Sequence, residues 1–285
     1  MGWSMKDFEG QWVMFMGQTA SSSYQGIGAS SLLNTRSVSS KDVIDMRIGS
    51  IVYGFYKAVM QFFLLPLLLI ECQSFPALCR REANERAVEY AFVFRHLSQI
   101  YPANVLDVGA GQSALPALIA YCGFKTAATD EKKGYWKNLF VNHHYYVVSD
   151  DITKTRIKRT YDMITCISTL EHIANHNAAI GEMFKLLQSN GYLCLTFPYN
   201  ENEYVQNVYD LPEAGRGKGA SYICQVFSRK TIDGWIEENG GKVVDQEYWR
   251  CFTGPLWTLG DQIFPPQRVT EKELHQLSCV LIQKA

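Results

Sequence analysis

What most constrains this 285-residue chain is an alternation of strand-like and helix-like pieces that begins after Pro102. The apolar run NVLDV leads into a glycine turn, Gly109-Ala110-Gly111-Gln112-Ser113, then a helical stretch from about Ala114 to Cys122 that Gly123 ends. KTAAT and YYVVS read as the second and third strands. YDMITCIS is a fourth, followed by a helix through Ala178, Met183, Phe184 and Leu187 that Asn190-Gly191 closes. GYLCLTF is a fifth, Ser228 caps a helix through Ile232, Trp235 and Ile236, and KVVDQEYW and ELHQLSCVLIQK supply the last two strands. Strands separated by helices at this spacing predict a doubly wound α/β domain: a mostly parallel sheet with helices on both faces.

The region ahead of this domain has another texture. Residues 1–80 read as a weakly ordered arm, rich in Ser, Gly, Gln and Met, followed by an apolar helical extension. The stretch Ala58 to Ile70 is too short to span a bilayer and is interrupted by Gln61 and Pro66. Three readings of it stay open: a helix pair covering the domain, a peripheral membrane contact, or an oligomer surface. From Glu82 to Ile100 a helical stripe of Tyr90, Val93, Phe94, Leu97 and Ile100 runs up to Pro102.

Charge and cysteines narrow the partners. With 27 basic and 28 acidic residues the chain has no basic excess of the kind that binds a phosphate backbone, and Lys154 to Arg159 reads as a solvated loop. A nucleic-acid substrate is disfavoured. The eight cysteines form no C-x-x-C pair and several fall in strand-like runs, which suits buried thiols in a reducing, cytoplasmic compartment. The N-terminus lacks a basic segment followed by an apolar core, the pattern of a secretory leader. The expected location is cytoplasmic, with a membrane-peripheral contact through residues 58–70 left open.

In parallel sheets of this kind ligands bind beyond the carboxyl ends of the strands. The first turn fits the dinucleotide pattern G-x-G-x-x-A through Gly109, Gly111 and Ala114, with Asp130 further on. Asp107 argues against that reading, because a carboxylate two residues before the first glycine repels a pyrophosphate. S-adenosylmethionine carries no phosphate and presents an ammonium group that a carboxylate can hold. Asp130, ending the second strand, is placed for ribose hydroxyls, and Asp150 and Asp151, ending the third, for the adenine amino group. Each alone suits an ordinary turn; three strand ends in succession point to a cofactor.

Taken in order, VLDVGAGQS, TAATDEKKG, SDDIT, YDMITCISTLEHI and NGYLCLTFP resemble the successive motifs of class I S-adenosylmethionine-dependent methyltransferases. LEHI is similar to the subgroup acting on small molecules, sugars and lipids. The resemblance is clear from Asn104 to Phe197, looser to the C-terminus, and excludes residues 1–80. It implies a Rossmann-like, seven-stranded, mostly parallel sheet over residues 81–285 and S-adenosyl-L-methionine as cofactor. It further implies Asp107, Gly109 and Gly111 at the methionine end, Asp130 at the ribose, and Asp151 with Ile152 at the adenine. Ala110 in the turn and Ser168 after the fourth strand complete the expected cofactor set. Ser113 departs from the pattern, standing where many members carry a third glycine.

Methyl transfer needs alignment and exclusion of water, and a base only where the acceptor loses a proton. His172 is the first candidate base and Tyr199 the second, with Tyr204 behind them; a helix-start role for His172 is the bland alternative. His143 and His144 receive no role, and His176 and His275 are expected to pack or face solvent. No metal is called for. Segments 199–225 and 249–269 are expected to hold the acceptor, with Arg216, Lys218, Arg229, Arg250 and Arg268 as possible anion contacts. Trp249, Phe252, Trp257 and Phe264 are expected to form a rigid apolar lid or to pack in the core. The resulting expectation is O- or N-methylation of a small molecule, a sugar or lipid-linked precursor among the choices. Its rivals are a nucleic-acid or protein methyltransferase, a binding or scaffold protein without turnover, and a nicotinamide dehydrogenase.

Overall fold

The computed structural model describes residues 84–131, 142, 144–215 and 217–285, with the helical positions Phe55, Ala58, Val59 and Phe62. The expected N-terminal arm, the rest of the apolar stretch, Cys72, Cys79, His143 and Arg216 lie outside the described residues. The chain divides into two compact units, Met1–Cys79 and Arg80–Ala285, and the sheet belongs to the second. Among the described residues no helix is long and apolar enough to cross a membrane.

The second unit opens with helix α1 (Arg86–Ile100), followed by β1 (Asn104–Val108), α2 (Leu115–Tyr121), β2 (Lys125–Asp130) and β3 (Val148–Ser149). Next come β4 (Tyr161–Ile167), α3 (His176–Leu186) and β5 (Leu187–Pro198). Helix α4 (Arg229–Asn239), β6 (Gly241–Phe252), β7 (Gln262–Val269) and β8 (Leu277–Lys284) complete it. The strand order is β3-β2-β1-β4-β5-β8-β6-β7. β1 to β5 pair in parallel, whereas β8 inserts antiparallel between β5 and β6.

The sheet therefore has eight strands rather than seven. The additional strand is β7, which forms an antiparallel ladder with β6 inside the segment expected as a lid. Pro265 and Pro266 lie in β7 without cost to the ladder because β7 is the sheet edge, where a missing N–H faces away from any partner.

Two cores flank the sheet, and the period of two along each strand assigns residues to them. On β4, Ile164 and Cys166 enter one core while Met163 and Ile167 enter the other. β8 divides likewise, with Val280 and Ile282 opposite Cys279 and Leu281. Helices α3 and α4 cover the first face through Ile180, Met183, Phe184, Ile232 and Trp235; α1 and α2 cover the second through Phe92, Val93, Leu97, Leu115 and Ile119. Ser228 begins α4 with a capping box shared with Thr231. Helix α1 ends two residues before Pro102, with Tyr101 between them in the left-handed conformation donating its N–H to the Leu97 carbonyl. Cys166, Cys194, Cys224, Cys251 and Cys279 are buried free thiols, and Cys122 is exposed.

Candidate active site

The glycine turn after β1 is held from three sides. Gly109 and Gly111 have φ of +73° and +52°, in the left-handed region that suits glycine. A Cβ on Gly109 would fall 2.0 Å from Thr169 Cγ2, so the turn passes against the segment after β4 with no room for a side chain. The N–H groups of Gly109 and Ala110 donate to the Thr129 carbonyl at 2.9 and 3.2 Å, and Ala110 is buried. Asn142 clamps the turn from outside, its amide donating to the carbonyls of Gly111 and Ser113, both at 2.9 Å. The Ser113 hydroxyl joins the turn to two helices: it accepts from Leu115 N–H at the start of α2 and meets the Tyr90 hydroxyl of α1 at 2.8 Å.

Three strand ends bring carboxylates to this turn. Asp107, on β1, is buried and accepts a 2.6 Å hydrogen bond from Thr165 on β4. Burial pushes its pKa up to about 7, and the charge of Asp130 adds to the rise against the opposing Thr165 bond and Arg86. Asp130, ending β2, accepts the Gly111 N–H at 2.9 Å. Beyond β3, Asp151 caps the 3-10 turn Ile152–Lys154, accepting from Thr153 N–H at 3.0 Å and Oγ1 at 2.7 Å. Burial works against its ionisation, but the Thr153 bonds and Lys154 hold its pKa below the usual carboxylate range. Ile152 is buried beside it, while Asp150 turns to Thr155 and Arg156. Asp107, Asp130 and the glycine turn thus share one place, with Asp151 one strand further along the same edge.

At the ends of β4 and β5 the structure joins Ser168 to residues that the sequence did not single out. Ser168 has φ of +43° and donates its N–H to Thr196 O and Oγ1, both at 3.0 Å. Its hydroxyl and that of Thr196 donate to Glu89, a fully buried carboxylate on α1 that also takes Arg86 Nη1 at 3.0 Å. A charged residue between Val88 and Tyr90 was the one available signal, and it reads as a solvated position until the helix is docked.

The LEHI segment forms a 3-10 turn, Leu170–His172. His172 Nδ1 sits 2.7 Å from the Ile223 carbonyl, so Nδ1 carries the proton and Nε2 keeps its lone pair. Burial lowers the pKa of this imidazole, although the Ile223 bond works the other way, and the ring is neutral at pH 7. Glu171 is buried with Oε1 at 3.8 Å from His172 Nε2, and its Oε2 is the only buried carboxylate oxygen among the described residues without a hydrogen bond. Burial pushes Glu171 up to about 8. Gln225 fixes this turn: its amide donates to the carbonyls of Glu171 (3.2 Å) and Ile173 (2.9 Å), and its Oε1 accepts from Tyr204 at 2.6 Å.

Tyr199 sits elsewhere. It is fully buried, stacks on His275 at 5.6 Å and donates its hydroxyl to Glu201 at 2.7 Å. Burial and the Glu201 carboxylate push its pKa far above the ordinary phenol range, so this proton is held rather than exchanged. His275 and His176 are both engaged in ring packing, His176 against Phe227 and Trp235.

The two segments expected to hold the acceptor pack on each other. Val208 and Cys224 of the first share a core with Leu256 and Leu259 of the second, and Gly215 N–H donates to the Thr258 carbonyl at 3.2 Å. Tyr222 and Ile223 bring the first segment to His172, Tyr222 edge-on at 4.9 Å. Most of the expected anion contacts are engaged internally: Arg229 with Glu201 and Tyr248, Arg268 with Glu247, Lys218 with the Pro212 carbonyl. Arg250 Nε is buried without a partner. Phe252 and Trp257 pack edge-on, whereas Phe264 is exposed. Among the described residues no three His, Cys, Asp or Glu gather as metal ligands.

A family model described as a methyltransferase domain matches residues 80–246, the span that carries this turn and its carboxylates. The ubiquinone biosynthesis O-methyltransferase of Rickettsia canadensis is 23% identical over 165 residues, covering 55% of this chain and 62% of that protein. Its counterpart in Rickettsia akari is 25% identical over 152 residues, covering 51% and 52%. The chain thus spans between half and two thirds of the length of the curated relatives it matches. Among solved structures, the 1,6-didemethyltoxoflavin-N1-methyltransferase of Burkholderia thailandensis aligns with a TM-score of 0.47 at 14% identity, over 81% of this chain and 90% of that one.

Proposed function

The chain belongs to the methyltransferase-domain family, and from that premise we propose that it transfers a methyl group from S-adenosylmethionine to a small-molecule acceptor. The observation that carries this reading is the glycine turn pinned between Asp107 and Asp130, with the capping Asp151 on the next strand. The donor set fits the cofactor's chemistry: a buried carboxylate for an ammonium, a second at a strand end for vicinal hydroxyls, a third for an exocyclic amine. It does not fit a pyrophosphate, which Asp107 would repel. The cofactor supplies a methyl group on a positively charged sulfur, ready for in-line displacement.

The chain's own residues supply orientation and proton handling. Gly109, Ala110 and Gly111 shape the turn, Ile152 backs the adenine end, and Ser168 marks the wall at the ends of β4 and β5. His172 is the base we assign, because the Ile223 carbonyl fixes its tautomer and leaves Nε2 free to take a proton. An amine attacks through its own lone pair and needs no base; a hydroxyl does, so this arrangement favours a hydroxyl acceptor. Tyr199 is not assigned to the reaction, since its phenol is enclosed and paired with Glu201. Segments 199–225 and 249–269 frame the acceptor, and residues 81–285 form the transfer domain.

Calorimetric titration with S-adenosylhomocysteine, beside NAD, tests the donor site on wild type and Asp107→Ala. The expected result is binding of S-adenosylhomocysteine alone, weakened at least tenfold by the substitution. Folded wild-type protein that takes up NAD, or neither ligand, would overturn the reading.

A further inference from the structure

Methylation of a hydroxyl changes the charge of the site twice: the donor sulfur loses its positive charge, and the acceptor gives up a proton. A buried imidazole that kept this proton would be left as an unpaired cation. The base therefore needs a group behind it.

Glu171 stands there. It is 4% exposed, with Oε1 3.8 Å from His172 Nε2, the nitrogen that keeps its lone pair. That is an ion-pair distance once the ring is charged. The other oxygen, Oε2, is buried without a hydrogen bond, so no donor among the described residues stabilises it as an anion. Both neighbours are fixed in place. Gln225 donates its N–H (2.9 Å) and side-chain amide (3.2 Å) to the Glu171 carbonyl, and the Ile223 carbonyl holds His172 Nδ1 at 2.7 Å.

Burial pushes the Glu171 pKa up, Glu89 on α1 and Glu85 at its cap add to the rise, and Arg86 works against them. The carboxyl is thus protonated at pH 7, and a cation arriving beside it tips the balance toward the anion. Tyr209 and Cys224 of the acceptor segment feel its charge. Cys166 on β4 feels Glu171, Asp107 and Asp130 alike, which puts Glu171 in the same buried neighbourhood as the donor carboxylates.

We propose that Glu171 is a carboxylate while the cationic donor is bound and receives, through His172, the proton that the acceptor hydroxyl gives up. The acceptor O–H bond breaks as Nε2 takes the proton. An electron pair of that oxygen forms the bond to the methyl carbon, and the pair of the S–CH3 bond stays on sulfur. Nε2 then releases the proton to Glu171 Oε1. Sulfonium and carboxylate disappear together, His172 ends neutral, and the net charge of these groups stays zero throughout. The proposal rests on the donor reading and on His172 as base, and adds the counter-charge to both.

S-adenosylmethionine and S-adenosylhomocysteine share their ammonium and carboxylate and differ in charge only at sulfur. Calorimetric titration of each at pH 7, in buffers of different ionisation enthalpy, counts the protons released on binding. Wild type should release more with S-adenosylmethionine, by up to about one proton. Glu171→Gln should erase that difference while binding both ligands, and Glu171→Asp should restore part of it. Equal counts in wild type, or an undiminished difference in folded Glu171→Gln, would overturn the proposal and leave the donor site standing. Should Glu171→Gln not fold, infrared difference spectra of wild type decide. The carboxylic acid band of the S-adenosylhomocysteine complex should vanish with S-adenosylmethionine and should shift with isotope-labelled glutamate; a band that persists, or that shifts only with labelled aspartate, would overturn the assignment. Ring-nitrogen NMR shifts should show a neutral His172 in the S-adenosylhomocysteine complex, and a charged ring would place the proton on the base instead. Wild type that binds neither ligand would remove the donor reading itself.

Discussion

The two ends of the sheet keep their charges in opposite ways. At the ends of β1 to β4 the carboxyls of Asp107 and Glu171 are buried and raised to about 7 and 8, and one Glu171 oxygen has no partner. Around β5 to β8 most charges are closed on one another, Tyr199 on Glu201, Glu201 on Arg229, Arg229 on Tyr248, and Arg95 and Arg268 on Glu247, with Arg250 Nε the exception. Buried polar groups that satisfy each other specify a fold, and those left short of partners hold free energy that a ligand can release. On the proposed reading the first region receives a charged ligand, and the second is held mainly by its own pairs.

The sharpest way to break this contrast is at Gly109. Gly109→Ala sets a Cβ against Thr169 in a left-handed backbone, so S-adenosylhomocysteine affinity should fall about 100-fold or more while the β5–β8 region keeps its packing. Titration calorimetry with near-ultraviolet circular dichroism reads both; retained affinity would mean the turn is not the donor cradle.

A second effect follows from protonation. The folded state holds protons on Asp107 and Glu171 between about pH 4, where the unfolded carboxyls titrate, and pH 7 to 8. Stability contributed by these groups therefore declines as pH rises through that window and levels off above pH 8. Asp107→Asn and Glu171→Gln should then melt higher than wild type at pH 9, by up to a few kcal/mol each, and lose the advantage at pH 5. The sign reverses for the ligand: wild-type affinity for S-adenosylhomocysteine should rise through pH 7 as Asp107 ionises, and Asp107→Asn should flatten that rise. Unchanged alkaline melting in both variants would show that these carboxyls are not strained.

The smallest effect belongs to the closed region. Tyr199→Phe removes one hydrogen bond to a carboxylate that Arg229 still holds, so it should cost about 1–2 kcal/mol in thermal melts and leave donor affinity within twofold. A large loss of donor affinity would join the two regions that the comparison separates.

This division also decides what could be read from residues alone. Asp107, Gly109, Gly111 and Asp130 were legible because they stand in strand-end motifs written in consecutive letters, even though Asp107 pairs with Thr165 and Asp130 with Gly111 across the sheet. Ser228 and the two core faces were legible for the same reason, through a cap and a period of two. Glu89, Arg86, Asn142 and Gln225 were not, since each acts on a partner between 31 and 107 positions away. Tyr199 follows a strand at the ligand-bearing edge, yet its ring turns into the core. The strand β7 was missed because Phe264-Pro265-Pro266 breaks the pattern of a central strand, and an edge strand tolerates it.

The carbonyl that fixes the tautomer of His172 belongs to Ile223, inside the segment proposed to read the acceptor. On the proposed reading, the choice of substrate and the readiness of His172 as a base are inherited together. Exchange of residues 199–225 between relatives should then carry a new specificity and reset the proton chemistry in one genetic event, and a graft that displaced that carbonyl should bind its new substrate and leave it unmodified.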